Sequence, residues 1–267
     1  MIKLIKYEFI KKSKLFLILL VSSILANVAL GLIYDMSGIA IFLGLSPIIL
    51  GILYIYELIK TYSDALNKNT GYMTFMTPNS GYKIIGSKLL FTLLVGLIFF
   101  IGYIMFVGVN GLIIVIRNFP LGQLKEGFTT LLIELNEVAK QLLNMNIGDV
   151  LLFVLMILVS SIVFTLTVYS SITIRKSLFS NTKYGGVLSF IIFIVLNLII
   201  GKLGELLSRG VNLDYTIQQI NISNNINITY PSKYMFTLFM VMIVYNAVVS
   251  LVLMISSGYL LEHKINL

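Results

Sequence analysis

Apolar residues run along the chain in six long blocks, at about residues 15–34, 39–59, 89–116, 150–171, 184–200 and 234–260, with polar and charged residues gathered between them. Blocks of this length match the ~20 residues with which an α-helix crosses a bilayer. The pattern therefore predicts an all-α integral membrane protein with six transmembrane helices. Asp35-Met36-Ser37-Gly38 is a turn signal, so the first two spans form an antiparallel pair. Pro47 falls inside the second span and removes one hydrogen bond from its ladder, which predicts a kink. Gly96, Gly102, Gly108 and Gly111 give the third span surfaces that a neighbouring helix can approach closely.

The segments between the blocks carry patterns of their own. In residues 1–13, Ile2, Ile5 and Phe9 share one helical face and Lys3, Tyr7 and Lys11 the other, as in an interfacial elbow helix lying at the headgroups. A lysine-rich flank that only sets orientation would show the same pattern. Residues 61–88 form a long polar break edged or filled by Lys60, Lys68, Lys83 and Lys88. Within it, Asn67 to Gly71 and Pro78 to Gly81 break helical structure and leave Tyr72-Met73-Thr74-Phe75-Met76 as a short apolar knob. Exposed aromatics and methionines of this kind mark a partner surface; a cytoplasmic loop packed on itself is the alternative. Residues 122–146 repeat apolar positions at Leu124, Phe128, Leu131, Leu135, Val138 and Leu142, which predicts an amphipathic helix. Residues 208–232 are rich in asparagine, and Ile220, Ile222, Ile226 and Ile228 around Ser223-Asn224-Asn225 suggest a small hairpin.

Composition agrees with the pattern: 58% of the 267 residues are hydrophobic, 11% are charged, and the mean hydropathy is +0.99. The net charge of +8 arises from clusters between apolar blocks. Anionic headgroups and membrane orientation account for such clusters better than nucleic acid does. With six spans, thirteen lysines and arginines fall on the side that holds both termini and residues 61–88, against six on the other side. Basic residues concentrate inside the cell, so both termini and the polar break are expected to be cytoplasmic, and residues 122–146 and 208–232 external. No cleavable leader is expected, because the first apolar block is long enough to span and lacks a small-x-small cleavage site.

Candidate chemistry is sparse. The absence of cysteine excludes disulfides, thiolate metal sites and cysteine nucleophiles. Gly81-Tyr82-Lys83-Ile84-Ile85-Gly86-Ser87-Lys88 has the glycine spacing of a phosphate loop but ends in Ser-Lys where that loop needs Lys followed by Ser or Thr. His263 is a lone tail histidine without an assured partner, and no group of acids and histidines has metal-ligand spacing. The chain is thus expected to be no enzyme by itself and to bind no cofactor or metal directly. Glu57 is an acid near a span, placed to pair with Lys60 or to meet water. Asn27, Asn110, Asn197 and Asn246 lie within apolar blocks, where amides seek partners. They either join helices or line a polar path; Asn27, Glu57 and Asn197 are the path candidates. Tyr54, Tyr56, Tyr103, Tyr169, Tyr245 and Tyr259 read as packing or interface anchors.

The run Asn69-Thr-Gly-Tyr-Met-Thr-Phe-Met-Thr-Pro78-Asn-Ser-Gly-Tyr-Lys-Ile-Ile-Gly-Ser-Lys88-Leu-Leu resembles the signature of ABC-2 type permeases of Gram-positive bacteria. The likeness extends to the basic amino-terminal segment, the six spans, and Tyr169-Ser-Ser-Ile-Thr-Ile-Arg-Lys after the fourth span. It departs from the commonest pattern in residues 122–146 and in the asparagine-rich segment. The resemblance implies the membrane subunit of an exporter in the bacterial cell membrane, with two ATPase subunits that bind ATP and Mg and a second permease, identical or a sister. Tyr72, Met73, Phe75, Met76, Pro78, Tyr82 and Lys83 would couple to the ATPase, and spans two and five would face the second permease. Amphipathic cargoes such as antimicrobial or cytolytic peptides, peptide antibiotics or lipid-like molecules are expected. The alternatives are a sodium-extruding permease of the same type and a membrane adaptor or sensor that holds an ATPase without moving cargo.

The expected topology is tested by single cysteines in whole cells. A cysteine at Asn224 is expected to react with an impermeant maleimide and one at Asn69 to stay unlabelled; the reverse pattern refutes the arrangement.

Overall fold

The computed structural model describes residues 2–67, 80–118, 129, 133, 147–179, 185–210 and 232–263. These form α1 (Ile2–Asn67), α2 (Gly81–Asn118), α3 (Ile147–Leu178), α4 (Gly185–Gly210) and α5 (Ser232–His263), and no strand occurs among the described residues. Six stretches are long and apolar enough to cross a membrane: Leu4–Gly31, Met36–Leu66, Gly81–Ile114, Leu151–Leu178, Gly185–Leu207 and Phe236–His263. The chain is a multi-pass membrane protein. Its contacts divide it into two units, Met1–Val138 and Ala139–Leu267.

In the first unit, α1 carries two spans, although it is helical from end to end. A straight 66-residue helix would be about 100 Å long, with Lys12 and Glu57 nearly 70 Å apart. Yet Lys12 Nζ donates to Glu57, and a Cβ on Gly31 would lie 3.9 Å from Ile39. Both contacts centre on residues 34–35, so α1 doubles back at the turn that the sequence marks. Gly38 makes this reversal possible, because a Cβ there would overlap the Leu30 carbonyl oxygen. The second arm of α1 then runs antiparallel to α2: the Tyr54 ring lies on Gly96, Phe42 meets Phe106 at 5.3 Å, and the Tyr103 hydroxyl donates to the Leu43 carbonyl at 3.5 Å. The first arm runs parallel to α2, with Phe9 on Phe91 at 5.0 Å and Phe16 on Phe99 at 6.2 Å. Of Gly96, Gly102, Gly108 and Gly111 in α2, Gly96 meets a neighbour, the Tyr54 ring, and a Cβ on each of the other three would meet nothing within 4 Å.

In the second unit, α3 and α5 are parallel and α4 antiparallel to both. Phe153 faces Phe239 at 5.7 Å, Asn246 donates to Ser160 Oγ at 3.0 Å, and Ser170 and Ser257 share a hydrogen bond of 2.7 Å. Phe164 meets Phe193 at 5.9 Å, and the Tyr245 hydroxyl donates to the Ile200 carbonyl. Many hydroxyls in the spans, among them Ser161, Thr167 and Thr173, donate to carbonyls three or four residues back. That satisfies them without a partner outside their own helix.

Several boundaries differ from the hydropathy blocks. The spans start at Leu4 rather than 15 and at Gly81 rather than 89, and end at Leu66 rather than 59 and at Leu178 rather than 171. The added turns carry Glu8, Lys12, Thr61, Lys88 and Arg175, which lower local hydropathy without ending a helix. The expected elbow at residues 1–13 is continuous with the first span, since α1 is unbroken from Ile2. Ser80 opens α2 by accepting from the Lys83 amide, so Gly81 to Lys88 form helical turns. Of the predicted 122–146 helix only Thr129 and Ile133 are described, both helical; residues 211–231, with the expected hairpin, lie outside the described residues.

Gly38→Ala is expected to lower thermal stability in detergent by about 2 kcal/mol, the scale of forced overpacking. Gly44→Ala, where a Cβ meets nothing within 4 Å, should be neutral or mildly stabilising. Equal melting temperatures for the two variants would contradict the hairpin at residues 34–35.

Candidate functional site

The most tightly packed part of the first unit lies where the first arm of α1, the end of its second arm and the start of α2 converge. Leu58, Tyr62, Ile84, Ile85, Phe91 and Val95 are each at most 1% exposed. Four charged residues are enclosed among them. Lys12 Nζ donates to Glu57 Oε2 and Thr61 Oγ1, and Lys88 Nζ donates to Glu8 Oε1. Glu8 and Lys12 lie four residues apart on the first arm, so one helical face reaches both neighbours. It offers an acid to α2 and a base to the second arm.

The packing fixes the geometry. Lys12 stands 5.4 Å from the centroid of the Phe91 ring, and that ring meets Phe9 edge-on. A cation over an aromatic face gains electrostatic attraction where water is scarce. Glu57 is 3% exposed and Lys88 6%, so neither can exchange its partner for solvent. The Oε1 atom of Glu57 is buried without a hydrogen-bond partner. Two acids and two bases cancel in formal charge, which is the condition for keeping such groups in a low-dielectric interior. This cluster clamps three helix ends, and no group of three or more histidines and acids that could hold a metal occurs among the described residues.

Glu57, placed by the sequence to pair with Lys60 or to meet water, pairs with Lys12. Lys60 instead turns to Tyr56, donating to that hydroxyl at 3.0 Å, because it lies on the outer side of the helix while Glu57 faces inward. Sequence reasoning missed Glu8, Lys12, Thr61 and Lys88 as a group. One signal was available: Glu8 and Lys12 accompany Ile5, Phe9 and Phe16 on the apolar side of the first arm, an odd place for charges facing only water.

The other sequence candidates are scattered. Tyr82 is half-buried and Lys83 exposed in the first turn of α2, two and one turns before Lys88. Tyr72, Met73, Phe75, Met76 and Pro78 lie outside the described residues. Asn27 is buried some 15 residues along α1 from Lys12, so the bundle separates it from Glu57 by about 22 Å. Asn110 of α2 is 1% exposed and, by the parallel register, lies within about one turn of the level of Asn27; Asn27 Oδ1 and Asn110 Nδ2 have no hydrogen-bond partner. Asn197, in the second unit, is exposed and donates to its own helix at the Phe193 carbonyl, 2.8 Å away. Asn246 joins two helices, as an intramembrane amide does when it holds a bundle together. No family model, characterised protein or solved structure matches the chain.

Lys88→Ala, which strands Glu8 in the interior, is expected to cost about 3–5 kcal/mol of stability. The exchange Glu8→Lys with Lys88→Glu should recover a good part of that loss, whereas Glu8→Lys alone should not. Melting curves of the native chain, Glu8→Lys, Lys88→Glu and the double variant measure the coupling; additive losses of the two single variants would show that the two residues do not interact.

Proposed function

We propose that this chain is the membrane subunit of an ATP-driven exporter, passing force from separate ATPase subunits to its helix bundle. The supporting observation is the ion-pair cluster. Residues 68–79 leave α1 just after Tyr62, Ala65 and Leu66, and rejoin the fold at Gly81, Ile84 and Ile85, all of them buried. Lys88, one further turn into α2, is bonded to Glu8 on the first arm. Both stems of this segment are therefore fastened to the amino-terminal helix. A push on the segment would move three helix ends together. An ABC-2 type permease needs a rigid lever of this kind where an ATPase docks, and residues 69–90 resemble that family's coupling segment.

In this reading the membrane is the bacterial cell membrane and both termini are cytoplasmic. Two ATPase subunits engage the knob from Tyr72 to Met76 together with Pro78, Tyr82 and Lys83, and ATP with Mg binds on those subunits. A second permease, identical or a sister, completes the path. Cargo is amphipathic or hydrophobic, of the class of a cytolytic peptide, a peptide antibiotic or a lipid-like molecule. Transport follows from a bundle with two packings that nucleotide binding on the ATPase favours unequally. A sodium-extruding permease would call on an intramembrane acid, but Glu57 is engaged by Lys12 at one end of the bundle. The exporter reading is preferred on that ground.

Phe75→Asp or Met76→Asp is expected to abolish co-purification of the proposed ATPase subunit while the permease still inserts. Complex recovered at normal yield would refute docking at the knob. Binding without cargo-stimulated ATP hydrolysis would indicate an adaptor.

A further inference from the structure

A groove on the first arm of α1 is used neither by the ion-pair cluster nor by the proposed transport cycle. Its volume is about 460 Å³, and Phe9, Ile10, Phe16, Leu17 and Leu20 of α1 line it together with Ile98 of α2. Ser13 also borders it, but its hydroxyl donates to the Ile10 carbonyl at 2.9 Å and so offers the groove little polarity. Lengthwise, the groove covers the rise from Phe9 to Leu20, about 16 Å. That is roughly half of the ~30 Å hydrocarbon core, the depth of one leaflet.

One end of the groove is charged. Lys6, Ile10, Ser13, Leu17 and Leu20 follow one another at alternating steps of four and three residues, so they form a single stripe along the helix. Lys6 is exposed and stands one turn beyond the apolar lining. An open apolar face about 16 Å long, with the Lys6 cation one turn beyond its end, matches a lipid tail below a phosphate; exposed Lys14 stands beside the lining, where its long stem can reach the same headgroup layer. A partner helix fits less well, because its packing would have to cover the Lys6 ammonium.

We propose that this groove holds one acyl chain of an anionic phospholipid, with the lipid phosphate on Lys6. The site is independent of the exporter reading. It would keep an anionic lipid beside the arm that carries Glu8 and Lys12, and so make the seating of that arm sensitive to the charge of the surrounding membrane.

The purified full chain, incubated with equal amounts of phosphatidylglycerol and phosphatidylcholine of matched tails, tests this by native mass spectrometry of retained lipid. Phosphatidylglycerol is expected to be retained about five-fold over phosphatidylcholine, the effect of one lysine at an anionic surface. Lys6→Glu should bring the two lipids to parity. Lys11→Glu, an equal charge change on another exposed face, should leave the preference in place. Leu17→Trp, which fills the groove from an exposed position, should reduce retention of both lipids. Parity in the native chain, a preference that survives Lys6→Glu, or an equal loss in Lys11→Glu would overturn the headgroup assignment. Unchanged retention in Leu17→Trp would overturn the placement of the tail.

Discussion

Charge inside a bundle with apolar surroundings is tolerated only when it is matched, and the first unit of this protein is arranged around that requirement. Glu8 with Lys88 and Lys12 with Glu57 draw the first arm of α1 to α2 and to the second arm of α1, respectively. Removing one partner would leave a buried charge exposed to hydrocarbon and packed side chains, which costs several times what a surface ion pair contributes. The aromatic contacts of Phe9 with Phe91 and of Lys12 with the same ring lie in the same layer, so packing and electrostatics fix one register between the first arm and α2. Along the spans many Ile, Leu, Val and Phe side chains are exposed, as a lipid-facing protein requires.

That division of labour bears on function. The end held by matched charges is also the end at which residues 68–79 leave and rejoin the fold. In the proposed exporter it is the place where an ATPase would act, and a rigid end there converts a local push into movement of whole helices. The far end contains Asn27 and Asn110, buried amides with polar atoms that lack partners. Unpaired amides weaken packing. A bundle stiff at one end and poorly satisfied at the other is suited to rearranging at the second while the first keeps its shape.

Much of the fold was legible in the sequence because the bilayer sets one length scale and hydropathy reports it directly. Six spans and the turn at Asp35 to Gly38 follow from local pattern. The clamp was not legible, because it joins residues 45 and 80 positions apart, and neither periodicity nor hydropathy encodes such a pairing. Charged residues end the hydropathy blocks, which therefore stop seven to eleven residues short of Leu4, Leu66, Gly81 and Leu178. Glu57 shows the same limit on a smaller scale. Its sequence neighbour Lys60 was the obvious partner, but helix facing directs Lys60 to Tyr56 and Glu57 to Lys12.

The central claim is that the paired charges transmit work as well as hold the fold. It is tested most directly in liposomes containing the chain and the proposed ATPase subunit, by measuring cargo moved per ATP hydrolysed for the native protein and for the Lys88→Ala variant at a temperature where both stay folded. The account predicts that the variant still binds the ATPase and hydrolyses ATP, while transport per ATP falls about ten-fold or more, as expected when more than ~1.4 kcal/mol of coupling is lost. Transport per ATP equal to that of the native protein would contradict it.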